Sequence, residues 1–102
     1  MIRHCVLVRA RADREPGELE AVFDGLAALG RRLPGLQAFA GGADVSPEGL
    51  QRGYTHAFTI DFADAAARDA YLIDVEHKAL GARLRDTAEG GRHGILVLDF
   101  EN

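Results

Sequence analysis

The segment from Tyr54 to Phe62 constrains this chain most strongly. Tyr54, His56, Phe58, Ile60 and Phe62 alternate with Thr55, Ala57, Thr59 and Asp61. A two-residue repeat of this kind places the bulky set on one face of an extended strand and the small or polar set on the other. The ring-bearing face must be covered, and amphipathic helices are the natural cover.

The chain supplies them. Leu19, Val22, Phe23, Leu26, Leu29 and Leu33 recur at helical spacing and form one stripe, with Glu18, Glu20, Asp24 and Arg31 mostly off it. Pro16 suits the first turn, the early acids suit the positive end of the helix dipole, and Arg31 and Arg32 suit the negative end. Pro34-Gly35 stops the helix. Asp64 can cap a second helix that starts in an alanine-rich stretch and carries Ala67, Ala70, Tyr71 and Asp74 at three- and four-residue spacing. A further helical run has Leu80 and Leu84 four apart and ends at Gly90-Gly91.

Three more strands complete the pattern. Ile2 to Ala10 alternates with apolar groups on both faces, which predicts a central strand. Leu36 to Val45 is a weaker strand in which Gly41-Gly42 predicts a bulge or a close backbone approach. Ile95 to Phe100 is an apolar last strand. The order strand, helix, strand, strand, helix, strand belongs to the ferredoxin-like βαββαβ fold, an α+β antiparallel sheet with its helices on one face. A chain of 102 residues is too short for two adequate cores, so residues 1–102 are expected to form a single domain.

Helices on one face leave the other bare. By alternation that face carries Cys5, Leu7, Ala57 and Thr59, and a second copy packed against it would close a barrel, which predicts a homodimer. The net charge of −4 comes from interspersed acids and bases with no Lys/Arg block, so nucleic acid is not an expected partner. No apolar run is long enough for a membrane span, and the N-terminal residues read at once as a strand, so a cytoplasmic protein without a membrane partner is expected. The single Cys5 cannot form an internal disulfide or a cysteine-based zinc site, and it suits a small apolar strand position.

Five segments in register carry a resemblance: Ile2-Arg3-His4-Cys5-Val6-Leu7, Pro34-Gly35, Arg52-Gly53-Tyr54-Thr55-His56-Ala57, Ala70-Tyr71-Leu72 with His77-Lys78-Ala79, and Leu98-Asp99-Phe100-Glu101. The chain resembles the stress-responsive dimeric A/B-barrel (Dabb) family over essentially its whole length. The resemblance implies a dimeric α/β barrel. One relative, olivetolic acid cyclase, folds a linear polyketide by aldol condensation without a cofactor. By that likeness Tyr71 and His77 match a catalytic pair, and His4 and His56 match histidines lining the site. Many relatives carry His-Pro where this chain has Asp74-Val75-Glu76, and Leu26 stands where the cyclase has an aromatic residue.

These positions support a definite chemistry. His77 can act as a general base toward a proton beside a carbonyl, with the Tyr71 phenol orienting it or donating to the forming oxyanion. Six residues along one unbroken helix would place the two side chains about 240° apart, so the pair requires a break between them. His4 and His56 are expected on the helix side of neighbouring central strands, close to one another, and neutral in apolar surroundings. With Phe23, Leu26 and Phe58 they would bound a pocket for a small apolar carbonyl or phenolic ligand. The histidines lack the spacing of a dedicated metal site, and no glycine-rich phosphate loop is present, so neither a metal nor a cofactor is expected. Three functions fit: a dimer that binds a small ligand, a cofactor-independent acid–base enzyme, and, by fold analogy alone, a cofactor-free monooxygenase.

Overall fold

The computed structural model describes residues 1–102. Strands β1 (Ile2–Val8), β2 (Leu36–Ala43), β3 (His56–Phe62) and β4 (Ile95–Glu101) form one sheet in the order β2-β3-β1-β4. Every neighbouring pair is antiparallel. Helices α1 (Pro16–Arg32), α2 (Ala65–Ile73) and α3 (Val75–Thr87) pack on one face, and a 3-10 turn at Gly91–Gly94 leads into β4. This is the expected ferredoxin-like α+β fold, with the second helical region divided in two. No helix is long and apolar enough to cross a membrane.

The core forms where the two periodicities meet. Val6 and Val8 from β1 and Phe58, Ile60 and Phe62 from β3 are buried, and they pack beneath Leu19, Val22, Phe23, Leu26 and Leu29 of α1. The intervening strand residues Cys5, Leu7 and Thr59 are half-buried and Ala57 is exposed, so the alternation read from the sequence gives the correct face to each.

The glycines in β2 divide their expected roles. A Cβ on Gly41 would lie 2.8 Å from the Phe58 Cβ, so this residue provides the close approach, whereas Gly42 has open space. The irregularity in the ladder lies instead between Leu36 and Ala38. β2 and β3 are also shorter than their apolar patterns, because Asp44 closes a turn by accepting from the Ser46 N–H at 3.0 Å and from Gln51 Nε2 at 2.7 Å. After α1, Gly35 adopts φ +81°, the left-handed conformation that glycine enters without steric cost.

Candidate functional site

The break required between Tyr71 and His77 falls at Asp74, which ends α2 and caps α3 instead of continuing the α2 stripe as its spacing suggested. Its backbone is extended, with φ −65° and ψ 137°, and its carboxylate accepts from the N–H groups of Glu76 at 2.9 Å and His77 at 3.2 Å, capping α3. Arg32, at the end of α1, donates to both carboxylate oxygens at 3.0 Å. The guanidinium, helped by the backbone N–H groups, holds the Asp74 carboxyl below the usual carboxylate range. The turn is thus made by a capping acid tied to the neighbouring helix.

The consequence is a close aromatic pair. The Tyr71 and His77 rings lie 4.0 Å apart between centroids at an interplanar angle of 42°. Tyr71 is 1% exposed, and burial pushes its phenol well up, so the hydroxyl keeps its proton. Burial pushes the His77 imidazole down from 6.5, with the Leu72 carbonyl acting the other way. Its Nδ1 is buried with no hydrogen-bond partner. His77 is therefore neutral at pH 7 and able to accept a proton.

His4 occupies the facing strand. It is 5% exposed, and its ring lies 5.9 Å from Tyr71, 6.1 Å from Phe62 and 6.4 Å from Phe58. Its Nδ1 is 2.6 Å from Asp99 Oδ1, and Arg68 Nη1 donates to Asp99 Oδ2 at 3.1 Å. A carboxylate only accepts, so His4 Nδ1 donates in this contact. The Arg68–Asp99–His4 chain orients the ring and satisfies its buried Nδ1.

A cavity of about 400 Å³ lies between the three helices and strands β1, β3 and β4. Five of the seven residues singled out in the sequence line it: His4, Leu26, Phe58, Tyr71 and His77. The other two lie elsewhere. Phe23 and His56 face one another, with ring centroids 6.3 Å apart, beside Gly41 and Gly42 in a separate depression.

The expected proximity of His4 and His56 is therefore corrected. In the register of β1 and β3, His4 pairs with Ile60 and His56 pairs with Val8. Four strand positions separate them, roughly 13 Å along the sheet. Both histidines do face the helices, but alternation assigns a face and leaves the register open. Phe58 joins the two regions, with its ring 5.2 Å from that of Phe23.

Sequence reasoning missed several residues that line the cavity or hold its lining groups. Asp99, which holds His4 from behind, had a usable signal, since it is an acid on the inward parity of an apolar strand, opposite His4. Arg68, Arg85 and Arg92 had none, because solvated arginines look the same in a sequence. Gly81 and Leu84 of α3 and Ile95 and Val97 of β4 complete the wall.

Comparison with known proteins places these observations. The Stress responsive A/B Barrel Domain (Dabb) family profile matches residues 2–102. The chain belongs to this family. Among curated Dabb relatives, the stress-response A/B barrel domain-containing protein HS1 of Arabidopsis thaliana is 28% identical over 100 residues, covering 98% of this chain and 88% of that protein. A dimeric ferredoxin-like protein of unknown function from Jannaschia sp. CCS1 superposes with a TM-score of 0.93 at 30% identity, covering 99% of this chain and 98% of that one. The hydroxynitrile lyase of Passiflora edulis shares the fold, with a TM-score of 0.85 at 20% identity over 97% of this chain and 90% of that one.

Asp74 gives this Dabb domain a testable positioning residue. Asp74→Ala removes the cap on α3 and the anchor to Arg32 together. The His77 imidazole resonances in NMR spectra should change markedly, with only a modest fall in Tm. Unchanged His77 resonances would show that packing alone sets the ring. The folded carboxyl has a lowered pKa, so its stabilising contribution is present above its ordinary value of 3.8 and is lost as pH falls through the folded value.

Proposed function

We propose that this Dabb domain works as a homodimer that binds a small, largely apolar carbonyl compound in the cavity and transfers a proton at it. His77 takes a proton from the carbon beside the carbonyl, and the protonated Tyr71 hydroxyl stabilises the enolate oxygen. No cofactor is needed for that step. The reading is carried by one observation: a neutral imidazole and a protonated phenol lie tilted together, 4.0 Å between ring centroids, in the wall of a largely apolar cavity. The cavity volume suits a small organic molecule.

The test is hydrogen–deuterium exchange at the acidic carbon of a set of alkyl and aryl β-diketones, followed by NMR in D₂O. Exchange above the buffer rate, saturable in ligand, is the expected result. If no compound in a broad set either binds or exchanges, the proposal fails.

The dimer rests on the uncovered sheet face. Leu96, Leu98 and Phe100 of β4 are 43%, 62% and 46% exposed there and adjoin Cys5 and Leu7 of β1. A contiguous apolar patch on a sheet face calls for a partner surface. The dimeric Jannaschia protein, similar over nearly its whole length, supports a second copy as that partner. Sedimentation at low micromolar concentration should give a dimer, and Leu98→Lys should give a folded monomer or weaken association strongly, since it places a charge on that face. A wild-type monomer at that concentration would refute this part.

A further inference from the structure

Two guanidinium groups stand in the lining of the largely apolar cavity, beside the imidazoles of His4 and His77. Arg85 comes from the last turn of α3 and Arg92 from the 3-10 turn before β4, and both line the cavity while remaining exposed. Arg3, Arg9, Arg11, Arg14, Arg32 and Arg68 each pair with a carboxylate of the chain. Arg85 and Arg92 join none of these pairs. In a molecule of net charge −4, two uncompensated cations at one cavity rim are a local reversal of sign.

Local structure holds both groups in place. His77, Gly81 and Arg85 are successive fourth residues of α3, so they lie on one face of the helix. A Cβ on Gly81 would be 3.5 Å from Arg85 Nη1, which shows that the guanidinium folds back over the glycine toward His77. The approach is also felt at His77, where the Arg85 charge helps to lower the imidazole pKa. The turn carrying Arg92 follows Gly90 and opens on Gly91, both left-handed at φ +72° and +63°. It closes at Gly94, where any Cβ would collide with the Glu89 carbonyl oxygen. Arg92 is thus carried by a tight, glycine-dependent turn at the mouth of the cavity.

We propose that the ligand of this cavity is a carboxylate with an apolar body. Its hydrocarbon portion lies against Leu26, Phe58, Leu84 and Ile95, and its carboxylate is held by Arg85 and Arg92. This inference rests on the cavity being a ligand site. Guanidinium groups bind carboxylates through paired N–H donors, and cations beside a low-dielectric cavity concentrate potential that favours an anion. The arrangement also orients the ligand, with its charged end at Arg85 and its reacting carbon one helical turn or more away, near His77.

The experiment compares 4-phenylbutanoate with 4-phenylbutanamide, which share a body and differ in charge, by isothermal titration calorimetry. Wild type should bind the carboxylate at least about tenfold more tightly at low salt, with the margin shrinking as salt is raised. The double variant Arg85→Gln, Arg92→Gln should lose that preference and still bind the amide. Equal affinities in wild type would overturn the carboxylate inference and leave the ligand site standing. An unchanged preference in the double variant would overturn the assignment to these arginines. Binding of neither compound would overturn the inference together with the ligand site on which it rests.

Discussion

His77→Ala is expected to lower proton-transfer activity on a β-dicarbonyl compound by about 10²–10⁴-fold, the usual contribution of a positioned general base. No cysteine or carboxylate lines the cavity to replace it, and the other imidazole there, His4, held through Nδ1 by Asp99, is separated from His77 by measuring His4→Ala beside it. Tyr71→Phe should cost less, because the phenol donates a hydrogen bond and does not take the proton. Stability has to be measured beside rate. The expected signature is a selective loss of activity with a melting temperature within a few degrees of wild type; a parallel loss of both would assign His77 a packing role. The pH profile provides a second check. Burial lowers the His77 pKa from 6.5, so activity should persist through neutral pH and fall only as pH drops below that ordinary value toward the folded one. The same shift means that the fold binds fewer protons at this site than the unfolded chain, so stability is lost as pH falls below 6.5 toward the folded value.

Phe58→Ala should destabilise the domain by about 3–5 kcal/mol. The ring is 3% exposed and packs against Phe23 at 5.2 Å and Phe39 at 5.5 Å between centroids, while its other side borders the cavity. For a domain of this size the corresponding fall in melting temperature is more than about 12 °C. Removing the ring also enlarges the cavity toward Phe23, so ligands with bulkier bodies should gain affinity relative to small ones. Phe23→Ala should fall toward the lower end of the same range, since Phe23 borders the smaller depression and is 8% exposed. Thermal and denaturant unfolding of both variants checks the prediction, and near-neutral effects at both positions would mean that the core is assigned incorrectly.

The two predictions depend on different kinds of information. Phe58, Ile60 and Phe62 were assignable to the covered face from the sequence because side chains on a strand repeat every two residues, a local property of the backbone. The α1 stripe, the Asp64 cap and the order of elements were legible for the same reason, and together they define the fold. The family resemblance singled out Tyr71 and His77, and helix geometry showed that a break had to lie between them. Its position at Asp74 depends on Arg32, which is distant in sequence and reaches the carboxylate only after α1 has docked.

Register was beyond local reasoning. Nothing in the alternation of β1 or β3 says that His4 meets Ile60 and that His56 meets Val8, and this pairing puts the two histidines in different depressions. The partners of His4 depend on β4, the strand furthest from it in sequence, and on Arg68 from α2. Arg85 and Arg92 acquire their position only when α3 and its following turn close over the sheet. By itself the sequence determined which faces are apolar and in what order the elements run, because dihedral periodicity is local. The tertiary structure alone decided which polar groups share the cavity, because contacts between distant segments depend on register, docking and the space that glycine leaves open.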